Sequence, residues 1–344
     1  MRNILCVTLI ALLGGCTSTS VTEKYQDKRN DIINVKDKVI EFETGNVLIG
    51  SVSRLYMSNK CLLIADHKSV DKQIHIFNKN DFSYLTSIGN FGEGPEEITV
   101  MGCLAIDEAH HQLYVSDHAK QKIFSYDMDS VMVDSLYKPQ VKTAMNETLF
   151  PSEYQYINDT LSIAVLIKPT STSTFNQFLG RWNMNTGEMI PMKYTHPDIQ
   201  KKRITFAASE KAGIYVECYT RHDLMTICSL DGELLYNIYG PDWDGGNGNK
   251  LQSFGTVMIG NDKIFVSYCG EDYARDSFPT KILVFDLEGN YLKTLETGYK
   301  ISDCCYDSFN NRIILSLNDV VQFAYLDIDL SLIHISEPTR PRLI

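Results

Sequence analysis

Four short clusters carry the side chains that could do chemistry: Asp66-His67-Lys68, Asp117-His118, Arg221-His222-Asp223 and Asp272-Tyr273-Ala274-Arg275. Imidazole beside carboxylate suits acid–base catalysis or metal ligation, and arginine beside an aromatic ring suits recognition. Spacing limits the first option. No H-x-x-x-H or H-E-x-x-H pair fixes a zinc cage, no C-x-x-C pair exists, and no G-x-S-x-G elbow is present. In "GPDWDGGNGN", Asp242 and Asp244 match the start of a calcium loop, but Ser253 stands where its glutamate would be. That stretch reads as a long connector, with Trp243 at its tip as a platform for stacking against a sugar. The candidate ligand-binding residues are His67, His118, Arg221, His222, Trp243, Tyr273 and Arg275. No catalytic residue, metal or cofactor is assigned.

The elements that must position these residues recur regularly. Short apolar strands, "CLLIAD", "QLYVSD", "TLSIAV", "GIYVEC", "KIFVSY" and "RIILSL", centre on Ile64, Val115, Ile163, Val216, Val266 and Leu315, which are 51, 48, 53, 50 and 49 residues apart. Each is followed by a second strand, and most by a turn such as "LDGE" and a third strand. A unit of about four strands repeating six times predicts an all-β, six-bladed β-propeller over residues 39–330. Apolar residues at consecutive positions fit a strand covered on both faces by neighbouring blades. In a ring of antiparallel blades, the loop between second and third strands shares a face with the blade connectors. All four clusters therefore gather at one end, as a funnel for a sugar, peptide or protein.

Asp66 and Asp117 recur at equivalent places, which predicts turn caps. "SIGNFGEGPEEI" joins the first unit to the second; without a following helix or a Lys-Ser/Thr pair it is a structural corner, not a phosphate loop. Gly92, Gly94, Pro95 and Glu96 resemble the glycine–proline signature between blades of NHL-type and TolB-like propellers. The resemblance implies a six-bladed TolB-like lipoprotein of Gram-negative bacteria. "VKDKVIEFE", residues 35–43, is expected to close the last blade as its outer strand, removing two exposed edges.

At the start, Arg2 precedes an apolar run too short to span a bilayer, as in a signal peptide over residues 1–15. "LGGC" resembles the lipobox of bacterial lipoproteins, which implies lipidation of Cys16 and anchoring in the outer membrane, facing the periplasm or the surface. An ordinary cleaved signal with an incidental cysteine is the alternative. Residues 16–38, beginning with the lipidated cysteine, read as a polar tether. The tail, 331–344 with His334, resembles a translated sequencing adapter and is set aside as non-native.

The net charge of −11 excludes a non-specific nucleic-acid binder. Cys304 and Cys305 are adjacent and point to opposite faces, whereas Cys218 and Cys228 have the option of a disulfide across a hairpin. Together these features predict a membrane-anchored binding or scaffold module, with an envelope protein or glycan as partner. A metal-assisted lyase or glycan-processing enzyme using the same funnel is the rival.

Overall fold

Strand formation follows burial on two faces. In "CLLIAD", Cys61, Leu63 and Ala65 enter one apolar cluster while Leu62 and Ile64 enter another, and all are buried. The computed structural model describes residues 22–329, apart from 135, 201, 247–249 and 276. The signal peptide, Cys16 and the tail at 331–344 lie outside the described residues.

The described chain opens with three short strands, β1 (Glu23–Tyr25), β2 (Ile32–Asn34) and β3 (Val39–Glu41). Blade one is β4–β7: Ser53–Met57, Cys61–Asp66, Lys72–Asn78 and Tyr84–Asn90. Blade two is β8–β11: Met101–Asp107, Gln112–Asp117, Lys122–Asp127 and Gln140–Ala144, with helix α1 (Met128–Val133) before its last strand. Blade three is β12–β15: Phe150–Asn158, Leu161–Pro169, Phe175–Trp182 and Met189–Pro191. Blade four is β16–β19: Ile204–Ser209, Ile214–Tyr219, Leu224–Ser229 and Leu234–Tyr239. Blade five is β20–β23: Leu251–Gly260, Lys263–Asp272, Lys281–Asp286 and Tyr291–Glu296. Blade six is β24–β26: Ile301–Asp307, Arg312–Leu317 and Phe323–Asp327. Its fourth strand is β3, paired antiparallel to β26 with Tyr325 opposite Ile40. The fold is the expected six-bladed propeller closed from the N-terminus.

Six apolar clusters hold the ring together, one at each junction between blades. A polar contact accompanies each. Asn59 N donates to Glu108 between blades one and two, at 2.7 Å. Tyr154 N donates to Cys103 Sγ between two and three, and Gln155 exchanges two hydrogen bonds with Ala208 between three and four. Thr205 Oγ1 donates to Gly255 O between four and five, and Thr256 Oγ1 donates to Asp303 between five and six. Leu55 N donates to the other Asp303 oxygen at 2.8 Å and joins six to one.

The closing seam is the most elaborate junction. Phe42 stacks on Phe82 at 3.9 Å, and Arg312 lies over both Phe82 and Tyr325. Asp307 holds Lys79 at 3.1 Å and Arg312 at 3.4 Å, with all three side chains buried. Burying a carboxylate between two cations satisfies it where water is absent.

Two expectations are corrected here. Residues 22–38 are not a free tether. β1 pairs parallel to β19, and β2 pairs parallel to β23, so the segment wraps the outer edges of blades four and five before closing blade six. It holds on by burying charge: Arg29 lies 2.8 Å from buried Asp223, and Glu23 accepts from Tyr239 Oη and Asn237 Nδ2. A disulfide between Cys218 and Cys228 is also ruled out. Cys218 opposes Met225 and Cys228 opposes Tyr215, an odd offset of three residues that puts the two sulfurs on opposite faces of blade four.

Candidate functional site

The innermost strands β4, β8, β12, β16, β20 and β24 line an axial tunnel of about 1030 Å³. Many apolar side chains of these strands turn into the blade junctions, and the wall of the tunnel mixes polar and apolar groups. Arg54 of blade one reaches Glu153 of blade three at 2.8 Å, so one ion pair spans two intervening blade junctions. Asp303 lies on the wall of blade six. Burial pushes its carboxyl above the usual range, against the pull of the Thr256 and Leu55 hydrogen bonds. Gln252, Thr205, Gln155 and Ser302 are among the other polar lining groups.

The loop after β5 and the connector after β7 leave the same end of blade one, and the alternation repeats around the ring. At this end His67 and His118 flank the mouth on blades one and two. Both are half-buried, and the Nε2 atom of each is buried without a partner among the described residues. Burial, and for His67 also the charge of Arg54, holds them below the usual histidine range. His118 fits because residue 102 is glycine: a Cβ there would lie 2.5 Å from the imidazole. Phe150 of blade three faces His118 with ring centres 6.0 Å apart.

Across the mouth, the β13–β14 ladder runs on to Pro169 and Phe175, and the β20–β21 ladder runs on to Leu251 and Asp272, so Phe175 and Tyr273 stand on either side of blade four. Arg203 lies over the Phe175 ring at 5.0 Å, and Arg221 over Tyr273 at 3.5 Å. Both rings remain exposed, at 43% and 49%. Arg275 is exposed and pairs with Glu271 at 3.0 Å. The structure thus brings Arg221, Tyr273 and Arg275 together on one rim and His67 and His118 on the other. Phe175, Arg203, Arg54 and Glu153 were missed: Arg54, Glu153 and Phe175 lie within β4, β12 and β14, Arg203 just precedes β16, and nothing local marks them.

Trp243 and His222 belong elsewhere. Trp243 is half-buried in a box of rings, 5.0 Å from Tyr239, 5.7 Å from His196 and 6.1 Å from His222. His222 is 7% exposed, with Asp244 3.6 Å from its Nδ1. An exposed stacking platform at Trp243 is therefore not formed, because the connector folds back and buries the indole against blade four.

The turn residues are fully engaged. Asp66 accepts from Gly50 N and Lys68 N, and Asp117 from the backbone of Thr99, Val100, Ala119 and Lys120. In the corner before Pro95, the Glu97 carboxylate accepts from Gly94 N and fills the space beside Gly92, where a Cβ would lie 2.0 Å from it. Lys120 Nζ collects the carbonyls of Gly92, Gly94 and Glu97. A cation already occupies the centre of this corner.

On the opposite face, Asp107, His110 and Asp159 come close enough to hold a metal, the one such group among the described residues. Its geometry repeats without histidine in blade six. Asp107 accepts from His110 N and Nδ1, as Asp307 accepts from Asn310 N and Nδ2, and each is followed by a left-handed residue, His111 or Asn311. The cluster is a turn built twice, once with imidazole and once with amide. Cysteine chemistry is equally muted: burial pushes the Cys103 and Cys228 thiols up to about 12, and the five others also rise.

A family model described as a 6-bladed beta-propeller, DUF5128, matches residues 17–176. No curated protein has a matching sequence. Among solved structures, the chain is similar to a Bacteroides fragilis protein described as exported, at 13% identity and TM-score 0.57, over 86% of this chain and 87% of that one. A DUF4221 family member from Bacteroides vulgatus aligns at 12% identity and TM-score 0.56, over 88% and 99%. The Cps50 (Swd1) β-propeller domain of Myceliophteria thermophila aligns at 10% identity and TM-score 0.52, over 82% and 99%. At these identities the likeness is one of fold.

Proposed function

We propose that this chain is an exported, envelope-anchored binding module of the TolB-like or NHL-like kind, taking its ligand at the tunnel mouth on the loop-rich face. One observation carries the reading: arginine laid on an exposed aromatic ring, twice, on a rim around an axial tunnel of mixed lining. Such pairs present flat apolar area and directed N–H groups at low entropic cost, which serves recognition. The enzyme reading calls for three His, Asp or Glu side chains converging on the axis. The tunnel offers Glu153, engaged with Arg54, Asp303, engaged with two donors, and Glu108, which follows β8 at the opposite end and accepts from Asn59 N.

Export is supported by the "LGGC" lipobox and by the exported relative in fold. Lipidation at Cys16 also gives an orientation. Asn237 N already donates to Thr22 O at the edge of blade four, so the five residues 17–21 are the whole linker. Five residues of chain span at most about 18 Å, which keeps that edge beside the bilayer. Cys16→Ser is expected to move the protein from the membrane fraction to the soluble one.

Screening the full chain on a glycan and peptide array, then repeating with Phe175→Ala and Tyr273→Ala, tests the site. Loss of the bound class in both variants, with unchanged melting, supports it. Binding indifferent to both, or stoichiometric zinc or calcium in the purified protein, turns the reading towards the enzyme.

A further inference from the structure

The arginines of this acidic protein are distributed unevenly. Seven lie among the described residues: 29, 54, 181, 203, 221, 275 and 312. Arg29 and Arg312 are buried against Asp223 and Asp307. Of the remaining five, Arg54, Arg203, Arg221 and Arg275 stand in the tunnel or on its mouth, and only Arg181 is elsewhere. Arg54 is held by Glu153 and Arg275 by Glu271, while Arg203 and Arg221 each lie on an exposed ring at the mouth.

We propose that the ligand of this face is an oligosaccharide carrying carboxylates; the proposal rests on the mouth being the binding site. A guanidinium lying on a ring keeps its N–H fork directed outward, and that fork matches a carboxylate with two parallel hydrogen bonds. Among the described residues no carboxylate pairs with Arg203, whose Nη1 donates to the Lys202 carbonyl at 3.0 Å. The exposed edges of Phe175 and Tyr273 beside these forks suit the apolar face of a sugar ring. An acidic peptide is less well served. Extended peptides are held chiefly by adding a strand to a free sheet edge. On this face the inner strands are tied to their neighbours around the ring, and the outer edges point away from the axis. Arg54, deeper in the tunnel and held by Glu153, bounds how far a charged sugar enters.

The experiment is titration calorimetry on the full chain with short oligomers of galacturonate, mannuronate and chondroitin sulfate. The methyl ester of the galacturonate oligomer and an oligoglutamate serve as comparisons. We expect at least one acidic oligosaccharide to bind. The ester, if its parent binds, should bind about tenfold more weakly or worse, as hydrogen bonds to charged groups require. Affinity should fall between about 50 and about 300 mM salt, because exposed charges are screened. Arg203→Gln and Arg221→Gln, each melting like the parent, should each weaken binding about tenfold. Equal affinity for acid and ester, with both lost in Phe175→Ala, overturns the charge requirement while leaving the mouth as the site. Preference for oligoglutamate, or no binding of any acidic sugar, overturns the proposal outright. Acid binding unaffected by all three variants places the site elsewhere and overturns both readings.

Discussion

Arg29 and Asp223 are 194 residues apart and meet in the interior between blades four and five. The guanidinium lies within 5.7 Å of the Phe254, Tyr268 and Phe285 rings, and its Nη2 finds no partner among the described residues. Burial drives the Asp223 carboxyl upward and Arg29 draws it back. Removing the cation strands the anion, which costs about 3–5 kcal/mol when a buried pair is broken. Arg29→Met is therefore expected to lose about 3 kcal/mol at neutral pH, read from denaturant midpoints. The loss should shrink at acid pH, where a stranded Asp223 takes up a proton and no longer needs a partner. An equal loss at both pH values would show that Arg29 acts through packing alone. At the same scale, Phe82 holds a left-handed backbone, φ 59°, to place its ring between Phe42 and Arg312. Phe82→Ala is expected to lose about 3 kcal/mol or more, since truncating a buried phenylalanine removes contacts and leaves a cavity. A loss below about 1 kcal/mol, the scale of a surface substitution, would mean that the seam does not depend on this stack.

At the scale of elements, the wrapped N-terminus divides the blades into two kinds. β1 and β2 cover the outer edges of blades four and five, and β3 completes blade six, while β7, β11 and β15 remain outermost in blades one to three. Removing residues 1–34 should uncover two edges yet leave the ring closed, giving a lower but still cooperative melting transition. Removing residues 1–44 takes β3 and Phe42 as well; it should abolish that transition or drive association through the exposed β26 edge, seen by calorimetry and size-exclusion chromatography. Equal behaviour of the two truncations would deny β3 its closing role. These elements also mark what the sequence makes legible. A blade strand buried on both faces must be apolar at consecutive positions, so "CLLIAD" and "KIFVSY" declare themselves. β1 and β2 are three residues long and lie on an outer edge, held by Glu23 and Arg29 with Tyr25 stacking on Tyr239 and Ile33 packing inward, so "EKYQDKRNDIIN" reads as solvated chain. The Trp243 connector misleads for a related reason. Its length is visible, but the ring that receives the indole comes from His196 and Tyr239, and His196 lies 47 residues upstream. The mouth was legible at Arg221, Tyr273 and Arg275 because ring geometry puts those loops on one face. Phe175 depends on the β13–β14 ladder running on to Pro169, and Arg203 stands in the connector just before β16, where no repeated motif marks it.

For the whole molecule, the same burial that keeps the mouth histidines neutral makes stability depend on pH. His67, His75, His118 and His196 sit on blade one, blade two and the connector into blade four, and burial holds each below the ordinary histidine range. His196 shows how firmly the neutral form is built in. Its Nδ1 accepts from Asp198 N, so its Nε2–H donates to Tyr239 Oη, which donates in turn to Glu23. The unfolded chain takes up protons near pH 6.5 and the folded chain does not. Bound protons are then more numerous in the unfolded state, so stability rises with pH across that window and falls as pH drops below it. Asp223 and Asp303 act in the opposite sense at lower pH, because their raised folded values bind protons earlier than the unfolded chain. Loss of net negative charge on acidification also relieves self-repulsion. A direct contest between these effects is available in His75→Gln, which removes one buried titrating group whose Nδ1 meets Ser87 at 2.8 Å. Denaturant midpoints measured at pH 7.5 and 5.5 should fall for the parent, and fall less for His75→Gln. A parent midpoint that holds or rises at pH 5.5 would show that relieved charge repulsion, together with the raised groups His110, Asp223 and Asp303, outweighs buried imidazole in acid.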